Sequence, residues 1–348
     1  MRTPILGPVV REREALLGAV SGLNQQLAES KRAVVTLEKR VAAWEADILG
    51  TALKRIPLKT WLWSDLKTRK LIQSHGINVL PTTFYSNVPS IQEVESSFEY
   101  RDGAGPPYEL GLTDQDAQAE LRSLAPYAAD FTPPAEGTDR DTCEHFFWGN
   151  GLFMGSDAMA YYCYVRKLKP KAILEIGSGF STLAACEAVQ ANGSGKIHCI
   201  EPYPREFLRR RKDIDLITRP AQEIDSEFVN DLLSDGDILF IDSTHTVKAG
   251  SDCLHIYLRL LPKIRRNIHV HVHDVFLPFG MPKQWLLEKQ VFWTEQYLLL
   301  ALMTDNPKFR VRYSSHYNAR RHPDLLAKLT EGKAESGGSS LWFEYRGA

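Results

Sequence analysis

The chain has 348 residues, of which 43% are hydrophobic and 24% charged, and these values are typical of a folded globular protein of about two domains. Its 42 basic and 43 acidic side chains nearly cancel, which leaves a formal net charge of −1. A charge this small excludes a global field that would draw the chain onto nucleic acid or an anionic membrane surface.

The N-terminal part of the chain carries a repeating apolar pattern. Between residues 16 and 48 apolar side chains recur at alternating spacings of four and three, with Ser30 as the one polar lapse. With Val20 at heptad position a, the a positions are mostly β-branched and the d positions mostly leucine, which favours a parallel two-stranded coiled coil. A long amphipathic helix that lies on its own protein is the alternative. We predict that residues 1–50 form a coiled-coil arm that makes the protein a homodimer or a higher homo-oligomer. The apolar seam consists of Leu16, Val20, Leu23, Leu27, Val34, Leu37, Val41, Trp44 and Ile48.

Residues 51–145 are harder to interpret. Proline and glycine clusters, such as Pro133-Pro134, divide this segment into short pieces. A helix is predicted for residues 114–124. We interpret the segment, from its position alone, as a connecting and substrate-facing region.

From about residue 157, short apolar runs rich in β-branched residues alternate with helical patterns. This alternation is typical of a parallel sheet covered by helices on both faces, so the predicted fold class is α/β. The predicted strands comprise residues 172–176, 197–200, 214–217, 238–241 and 268–272. The predicted helices comprise residues 181–190, 205–211, 226–233 and 249–261, followed by a long helix over 284–302. Two closing strands are predicted for residues 309–313 and 340–345.

A glycine turn follows the first predicted strand, in the sequence Glu175-Ile176-Gly177-Ser178-Gly179. Glycines at this place let the backbone turn tightly and approach a ligand at the N-terminus of the next helix. Glu201 ends the second predicted strand, where a carboxylate can accept hydrogen bonds from both hydroxyls of a ribose. These features suit both NAD and S-adenosylmethionine.

The details of the turn favour adenosylmethionine. The dinucleotide fingerprint has a third glycine where this chain has Thr182, and it uses the helix N-terminus to hold a pyrophosphate. Adenosylmethionine has no phosphate but carries an ammonium group, which Glu175 can reach directly or through a water molecule. An NAD(P)-dependent oxidoreductase is the less favoured alternative.

The E-x-G-x-G turn, the acid that ends the next strand and the closing strand pair together resemble the class I S-adenosylmethionine-dependent methyltransferases. The resemblance covers residues 157–345 and implies a Rossmann-like seven-stranded sheet within a domain of residues 146–348. It implies that Glu201 contacts the ribose of the cofactor. It also implies contacts of the methionine portion with Glu175, Gly177, Ser178 and Gly179, and of the adenine with Ala221 and Gln222.

Two predicted strands end in an aspartate, Asp242 after the fourth and Asp274 after the fifth. Because neighbouring parallel strands end at the same ligand-binding edge, the two carboxylates should lie close together and need a proton, a cation or a metal ion between them. The sequence resembles here the catechol-type and related sugar O-methyltransferases, which implies a magnesium site at this pair and a contact of Asp242 with the cofactor. The chain departs from that pattern at Val275, where the catechol-type enzymes carry an asparagine ligand.

His245 follows Asp242 in the spacing Asp-x-x-His, where the catechol-type enzymes carry a catalytic lysine. We expect it to be the general base, because an imidazole titrates near the working pH. His269, His271 and His273 alternate along the fifth strand and share one face, but they lie too far apart to close on one ion. We expect one or two of them to be structural and hydrogen-bonded, and His273, nearest the crevice, to take part in catalysis with Asp242.

The sequence thus predicts a cytoplasmic methyltransferase that acts on a hydroxyl of a small molecule or a glycan, although N-methylation needs no other residues. A non-catalytic adenosylmethionine-binding scaffold that recruits a partner through its arm is the alternative from another class. The five cysteines include no C-x-x-C pair, which fits a reducing compartment. No apolar run approaches the about 20 residues that a membrane span requires.

Overall fold

The computed structural model describes residues 6–55, 57–101, 106–137, 139–333 and 337–347. The chain divides into two compact units, residues 1–88 and residues 89–348. Among the helices that the structure describes, none has both the length and the hydropathy needed to cross a bilayer.

The described residues of the first unit form one long helix and two short ones. Helix α1 spans Leu6–Arg55, a length of about 75 Å at 1.5 Å per residue. The apolar side chains of the predicted seam are all exposed, from 48% at Ile48 to 66% at Trp44. The predicted long helix is therefore confirmed, and its pairing with a second copy stays a prediction. The short helices are α2 (Leu58–Leu62) and α3 (Leu66–Ser74).

The second unit is built on a seven-stranded sheet in the order β3-β2-β1-β4-β5-β7-β6. The first five strands are parallel, and β7 runs antiparallel between β5 and β6. This arrangement confirms the predicted Rossmann-like sheet, and each predicted strand lies within one residue of the observed one. The strands are β1 (Ala172–Ile176), β2 (Lys196–Ile200), β3 (Ile214–Ile217), β4 (Ile238–Ile241), β5 (Ile268–Val272), β6 (Phe309–Ser314) and β7 (Leu341–Tyr345).

Helices cover both faces of this sheet. The helices described in the second unit are α4 (Ile91–Ser96), α5 (Asp114–Ala128), α6 (Gly155–Leu168), α7 (Phe180–Asn192), α8 (Glu206–Arg210), α9 (Ser226–Leu232), α10 (Asp252–His255), α11 (Lys283–Leu287), α12 (Glu295–Met303), α13 (Ser315–Arg321) and α14 (Pro323–Thr330). Helix α10 continues into a π-helical turn, Ile256–Leu260, and a short 3₁₀ turn that contains Pro262. Alternate residues of the strands feed two separate hydrophobic cores, one on each face.

The core beneath α5, α6 and α7 draws on residues from the segment that precedes the alternating pattern. Leu121, Phe131 and Phe146 are fully buried in it. Part of the segment 51–145 therefore supports the sheet, whereas its predicted substrate-facing role stays a prediction.

The prediction of a single long helix over residues 284–302 is wrong. The structure has two helices, α11 and α12, separated by residues 288–294. The reason is tertiary: the backbone N–H groups of Thr294 and Glu295 donate to the carbonyl of His245, which fixes the start of α12. The hydrophobic period alone does not reveal such a contact.

His271 occupies the centre of the core beneath α6. Its ring stacks on Phe240 with 4.4 Å between ring centroids and lies edge-on to Trp342. Neither of its ring nitrogens has a hydrogen-bond partner among the described residues, so His271 is not one of the hydrogen-bonded histidines expected on this strand. Burial, together with the charge of His273, lowers the pKa of His271 well below its usual range.

This burial gives the unfolding free energy a defined pH dependence. Below the ordinary histidine pKa of 6.5 the unfolded chain binds a proton at His271, whereas the native protein does not. The free energy of unfolding therefore keeps its full value above that pH and decreases as the pH falls below it. The slope for one such group is up to about 1.4 kcal/mol per pH unit. We predict the outcome of urea unfolding of the wild type and of His271→Leu, each at about pH 7 and at about pH 5.5. Both proteins should lose free energy of unfolding on acidification, and the loss should be smaller in the variant by about 1 kcal/mol. Equal losses in the two proteins would contradict the assignment.

Candidate active site

The order of the strands reverses between β1 and β4, and ligands of open α/β sheets bind at the carboxyl ends of the strands at such a point. Gly177 follows β1 and Asp242 follows β4. The backbone N–H of Asp242 donates to the carbonyl of Ile176 at 2.8 Å, and the N–H of Gly177 donates to the carbonyl of Ile200 at 2.9 Å. These bonds bring the glycine turn and the aspartate to adjacent places at the mouth of the crevice.

The two glycines of the turn have different roles. Gly177 has a φ of +84°, and a Cβ at this residue would overlap the carbonyl oxygen of Asp242. Only glycine lets the two strand ends approach this closely. Gly179 is extended, with a φ of −175°, and a Cβ there would meet nothing within 4 Å. It therefore borders open space at the start of α7.

A cavity of about 540 Å³ opens beside this turn. Glu201 lies on its wall, where its carboxylate accepts hydrogen bonds from the backbone N–H groups of Ser178 at 3.2 Å and Tyr203 at 2.7 Å. These bonds hold the glycine turn against the end of β2. Five residues that the sequence singles out as cofactor contacts are brought together on the wall of this cavity: Gly177, Glu201, Ala221, Gln222 and Asp242.

Glu175 is fully buried and is not part of that wall. Its two carboxylate oxygens accept hydrogen bonds from the hydroxyls of Tyr161, at 2.8 Å, and Thr182. Burial raises the pKa of this carboxyl to about 7. Glu175 projects beneath α6 and supports the start of α7 from below. Its expected contact with a ligand ammonium, direct or through a water molecule, stays a prediction.

The expected pair of aspartates is found, with a histidine between them. The Nε2 atom of His245 lies 3.2 Å from Asp242 and 3.6 Å from Asp274. The backbone turns sharply at two of these residues, since φ is +57° at His245 and +54° at Asp274. Positive φ values in non-glycine residues are uncommon and concentrate at functional sites. We refer to Asp242, His245 and Asp274 as the reacting cluster.

His245 has a third acidic neighbour that the sequence does not indicate. Its Nδ1 lies 2.7 Å from Oε2 of Glu295, which is 1% exposed. Burial alone lowers the pKa of His245, but the hydrogen bonds and charges of Asp242 and Glu295 outweigh it and raise the pKa to about 10. The expectation of a histidine that titrates near neutral pH therefore does not hold for the unliganded cluster, whose imidazole is a cation at that pH.

His273 lies at the other side of the cluster, next to buried Asp157. Its Nδ1 is 4.0 Å from Asp157 and its Nε2 is 3.8 Å from Asp274. Burial opposes the charge on His273, yet the carboxylates of Asp274, Asp242 and Asp157 raise its pKa. Asp157 is held by the hydroxyl of Ser315 and the backbone N–H groups of residues 339 and 340.

A second cavity, also about 540 Å³, adjoins His273 and Asp274. Its wall includes the apolar side chains of Trp148 and Met154 and the carboxylate of Asp157. Asp242 lines the first cavity and Asp274 the second, and His245 Nε2 is within 3.6 Å of both carboxylates. The reacting cluster therefore lies between the two cavities, with one aspartate on the wall of each.

Three residues of this site were not singled out in the sequence: Asp157, Trp293 and Glu295. Trp293 packs on the His245 ring at 4.4 Å between centroids. The carboxylates of Asp157 and Glu295 each fall in the first turn of a helix, which is a common place for acidic residues. No pattern in the sequence predicts that either acid lies beside a histidine that is distant along the chain.

Comparisons with known proteins find similar sequences over part of the chain. Residues 174–275 match the family described as a methyltransferase domain. An uncharacterized protein of Archaeoglobus fulgidus is 32% identical over 167 residues, which are 44% of this chain and 72% of that protein.

Solved structures with more distant similarity include two methyltransferases. The plantazolicin methyltransferase BpumL in complex with SAH is 11% identical, with 54% of this chain and 82% of that chain covered at a TM-score of 0.38. The O-methyltransferase from Bacillus cereus in complex with SAH is 12% identical, with 66% and 90% covered at a TM-score of 0.34.

The approach of Gly177 to Asp242 can be tested by a matched pair of substitutions. Gly177→Ala adds a methyl group where the Asp242 carbonyl lies and forces a left-handed alanine, so we expect the free energy of unfolding to fall by at least about 2 kcal/mol. Gly179→Ala adds the same methyl group to extended backbone in open space and should be neutral or stabilising by up to about 1 kcal/mol. Urea unfolding of both variants measures the difference, and similar values for the two would refute the steric account.

Proposed function

Because the chain belongs to the class I S-adenosylmethionine-dependent methyltransferases, we propose that it methylates a hydroxyl group of a polar acceptor, either a sugar of a glycan or a small secondary metabolite. The observation that carries this proposal is the position of the reacting cluster between two cavities, with Asp242 on the wall of one and Asp274 on the wall of the other. A methyl donor in one cavity and an acceptor in the other would meet at His245. An NAD(P)-dependent oxidoreductase is no longer an alternative, since the chain is a methyltransferase.

The first cavity is the proposed cofactor site. Glu201 would accept hydrogen bonds from the ribose hydroxyls with the lone pairs that Ser178 and Tyr203 leave free. Ala221 and Gln222 would lie beside the adenine, and the open space at Gly179 would admit the methionine portion. Asp242 would face the positively charged sulfur. Glu175 would support the cofactor site from below, because its hydrogen bond with the hydroxyl of Thr182 holds the start of α7.

The second cavity is the proposed acceptor site. It combines apolar surface at Trp148 and Met154 with polar groups at His273 and Asp274. A ligand site of this kind, with mostly apolar walls and a few convergent polar groups, suits a ring that carries hydroxyls. His273 would hydrogen-bond the acceptor next to the hydroxyl that reacts.

His245 is the proposed general base. Bound adenosylmethionine would supply a methyl group on a cationic sulfur. In-line transfer of this methyl group to the acceptor oxygen would break its bond to sulfur and leave adenosylhomocysteine, a neutral thioether. His245 Nε2 would take the hydroxyl proton in this step. The carboxylates of Asp242 and Glu295 hold a proton on His245, and a cationic sulfur beside Asp242 would oppose that proton. Cofactor binding would thereby convert His245 into a base.

The reacting cluster also has the composition of a divalent cation site. Donor atoms of Asp242, His245 and Asp274 lie within 4.8 Å of one another. Carboxylate oxygens are the ligands that Mg²⁺ prefers, and they also suit Mn²⁺. Val275 is buried in the apolar core and supplies no further ligand. A cation held by Asp242 and Asp274 would make the acceptor hydroxyl more acidic.

The arm is proposed to pair with a second copy of the chain. The seam of exposed apolar side chains on α1 extends over more than four heptads, and one helix cannot bury them on itself. We place the protein in the cytoplasm, in line with its five buried free cysteines.

Methyl transfer from tritiated adenosylmethionine tests the function and the base together. A panel of methyl glycosides, catechol and a primary amine should give label in a hydroxyl compound, and an amine product would indicate N-methylation. His245→Ala should lower that rate by about 100-fold or more while the affinity for adenosylhomocysteine holds, since His245 does not line the cofactor cavity. An unchanged rate would remove His245 as the base. Tight cofactor binding without transfer to any acceptor would favour the scaffold alternative.

Metal dependence is tested in the same assay. If Asp242 and Asp274 hold a catalytic cation, EDTA should lower the rate by about tenfold or more, and added Mg²⁺ or Mn²⁺ should restore it. The variant Asp274→Asn should show a weakened response to the added ion. A rate that is indifferent to both treatments would dismiss the metal site.

The arm is tested by molar mass. Light scattering should show that deletion of residues 1–50 converts a dimer or larger oligomer into a monomer. Within the full chain, Val34→Glu places a charge in the seam and should dissociate the oligomer. The matched variant Val35→Glu changes the neighbouring exposed valine outside the seam and should keep it intact. A monomeric wild type, or equal behaviour of the two variants, would defeat the coiled-coil proposal.

A further inference from the structure

Glu295 is a buried carboxylate that neither cavity exposes. It lies in the first turn of α12, and His245 precedes it by 50 residues. Its Oε1 atom accepts hydrogen bonds from the hydroxyls of Tyr257 at 2.7 Å and Ser243 at 3.0 Å. Its Oε2 atom is thereby left to Nδ1 of His245 at 2.7 Å. The hydroxyls of Tyr257 and Ser243 thus hold the carboxylate in place, and its Oε2 atom contacts the imidazole of His245.

The same segment also holds the backbone of His245. The carbonyl oxygen of His245 accepts hydrogen bonds from the N–H groups of Thr294 at 2.9 Å and Glu295 at 3.0 Å. The hydroxyl oxygen of Thr294 accepts a further bond from the N–H of Val247 at 2.8 Å. A histidine with a φ of +57° persists only where its surroundings determine it strongly, and these bonds meet that need.

The ring of His245 is therefore fixed on three sides. Glu295 engages Nδ1, the ring of Trp293 packs at 4.4 Å between centroids, and Nε2 is left to face Asp242 and Asp274. With a hydrogen on Nδ1 held by Glu295, Nε2 is the nitrogen available for exchange of a proton with the crevice. This is the arrangement in which a buried acid orients a catalytic imidazole.

We propose that Glu295 is the positioning residue of the reacting cluster, which holds the Nδ1 hydrogen of His245 and thereby presents Nε2 to the acceptor. The inference rests on the proposed function in that it takes His245 as the base. Glu295 itself touches neither cofactor nor acceptor. Its carboxylate acts through the imidazole, with Tyr257 and Ser243 as its supports.

Nuclear magnetic resonance of full-length protein labelled with ¹⁵N-histidine, with adenosylhomocysteine bound, tests the hydrogen bond directly. A charge-assisted bond at 2.7 Å should give the Nδ1 proton of His245 a far-downfield, slowly exchanging resonance, identified by its loss in His245→Ala. Glu295→Gln should abolish or strongly shift this resonance while the affinity for adenosylhomocysteine stays unchanged. The matched variant Tyr257→Phe removes a hydroxyl from the same carboxylate without touching the ring, and it should retain the resonance.

Two results would overturn the inference: a resonance that survives in Glu295→Gln, or one that is lost equally in Tyr257→Phe. If Glu295→Gln does not fold, Glu295→Asp keeps the charge but shortens the side chain, and it should shift the resonance upfield. In the methyl-transfer assay Glu295→Gln should lower kcat by about tenfold or more with the KM for adenosylmethionine unchanged. Failure of the proposed function is distinct from these outcomes, because it would appear as full activity of His245→Ala with the resonance of the wild type intact.

Discussion

The contact between Gly177 and the carbonyl of Asp242 is the constraint on which the site depends. It joins the ends of β1 and β4 at the point where the strand order reverses, and a side chain at residue 177 would separate them. The cavity lined by Glu201 and Gln222 borders this contact, and Asp242 belongs both to its wall and to the reacting cluster. A shift of either strand end would change the cofactor cavity and the position of Asp242 together.

The charges of the cluster are the second organising feature. Asp242, Asp274 and Glu295 surround the imidazole of His245, and Asp157 lies beside that of His273, so the four carboxyl groups of this centre outnumber its two histidines. In a site shielded from water such an imbalance favours binding of a further positive charge. A sulfonium and a divalent cation are both ligands of that kind. The carboxylates of Asp242 and Glu295 likewise raise the pKa of His245 to about 10 when no ligand is bound. A cationic ligand is therefore needed to release its proton.

Much of this arrangement follows from the sequence, because its signals are local. The alternation of short β-branched runs with helical patterns locates the strands to within one residue, and the residues that end them, Glu201, Asp242 and Asp274, fall at the predicted edge of the sheet. What the sequence does not reveal depends on contacts between distant segments. Glu175 belongs to the turn motif, yet it points beneath α6, and Glu295 meets His245 only because the predicted long helix is interrupted before residue 295. No periodicity encodes these two contacts.

The account as a whole is tested most directly by calorimetric titration of the purified protein with adenosylhomocysteine and, separately, with NADH. The cavity beside Gly177 and Glu201 predicts saturable binding of adenosylhomocysteine at one site per chain and no heat of binding with NADH. Glu201→Ala should weaken that binding, since it removes the acceptor proposed for the ribose hydroxyls. Absence of adenosylhomocysteine binding at any concentration that can be reached would contradict the assignment of this cavity, and the roles of His245 and Glu295 would fall with it.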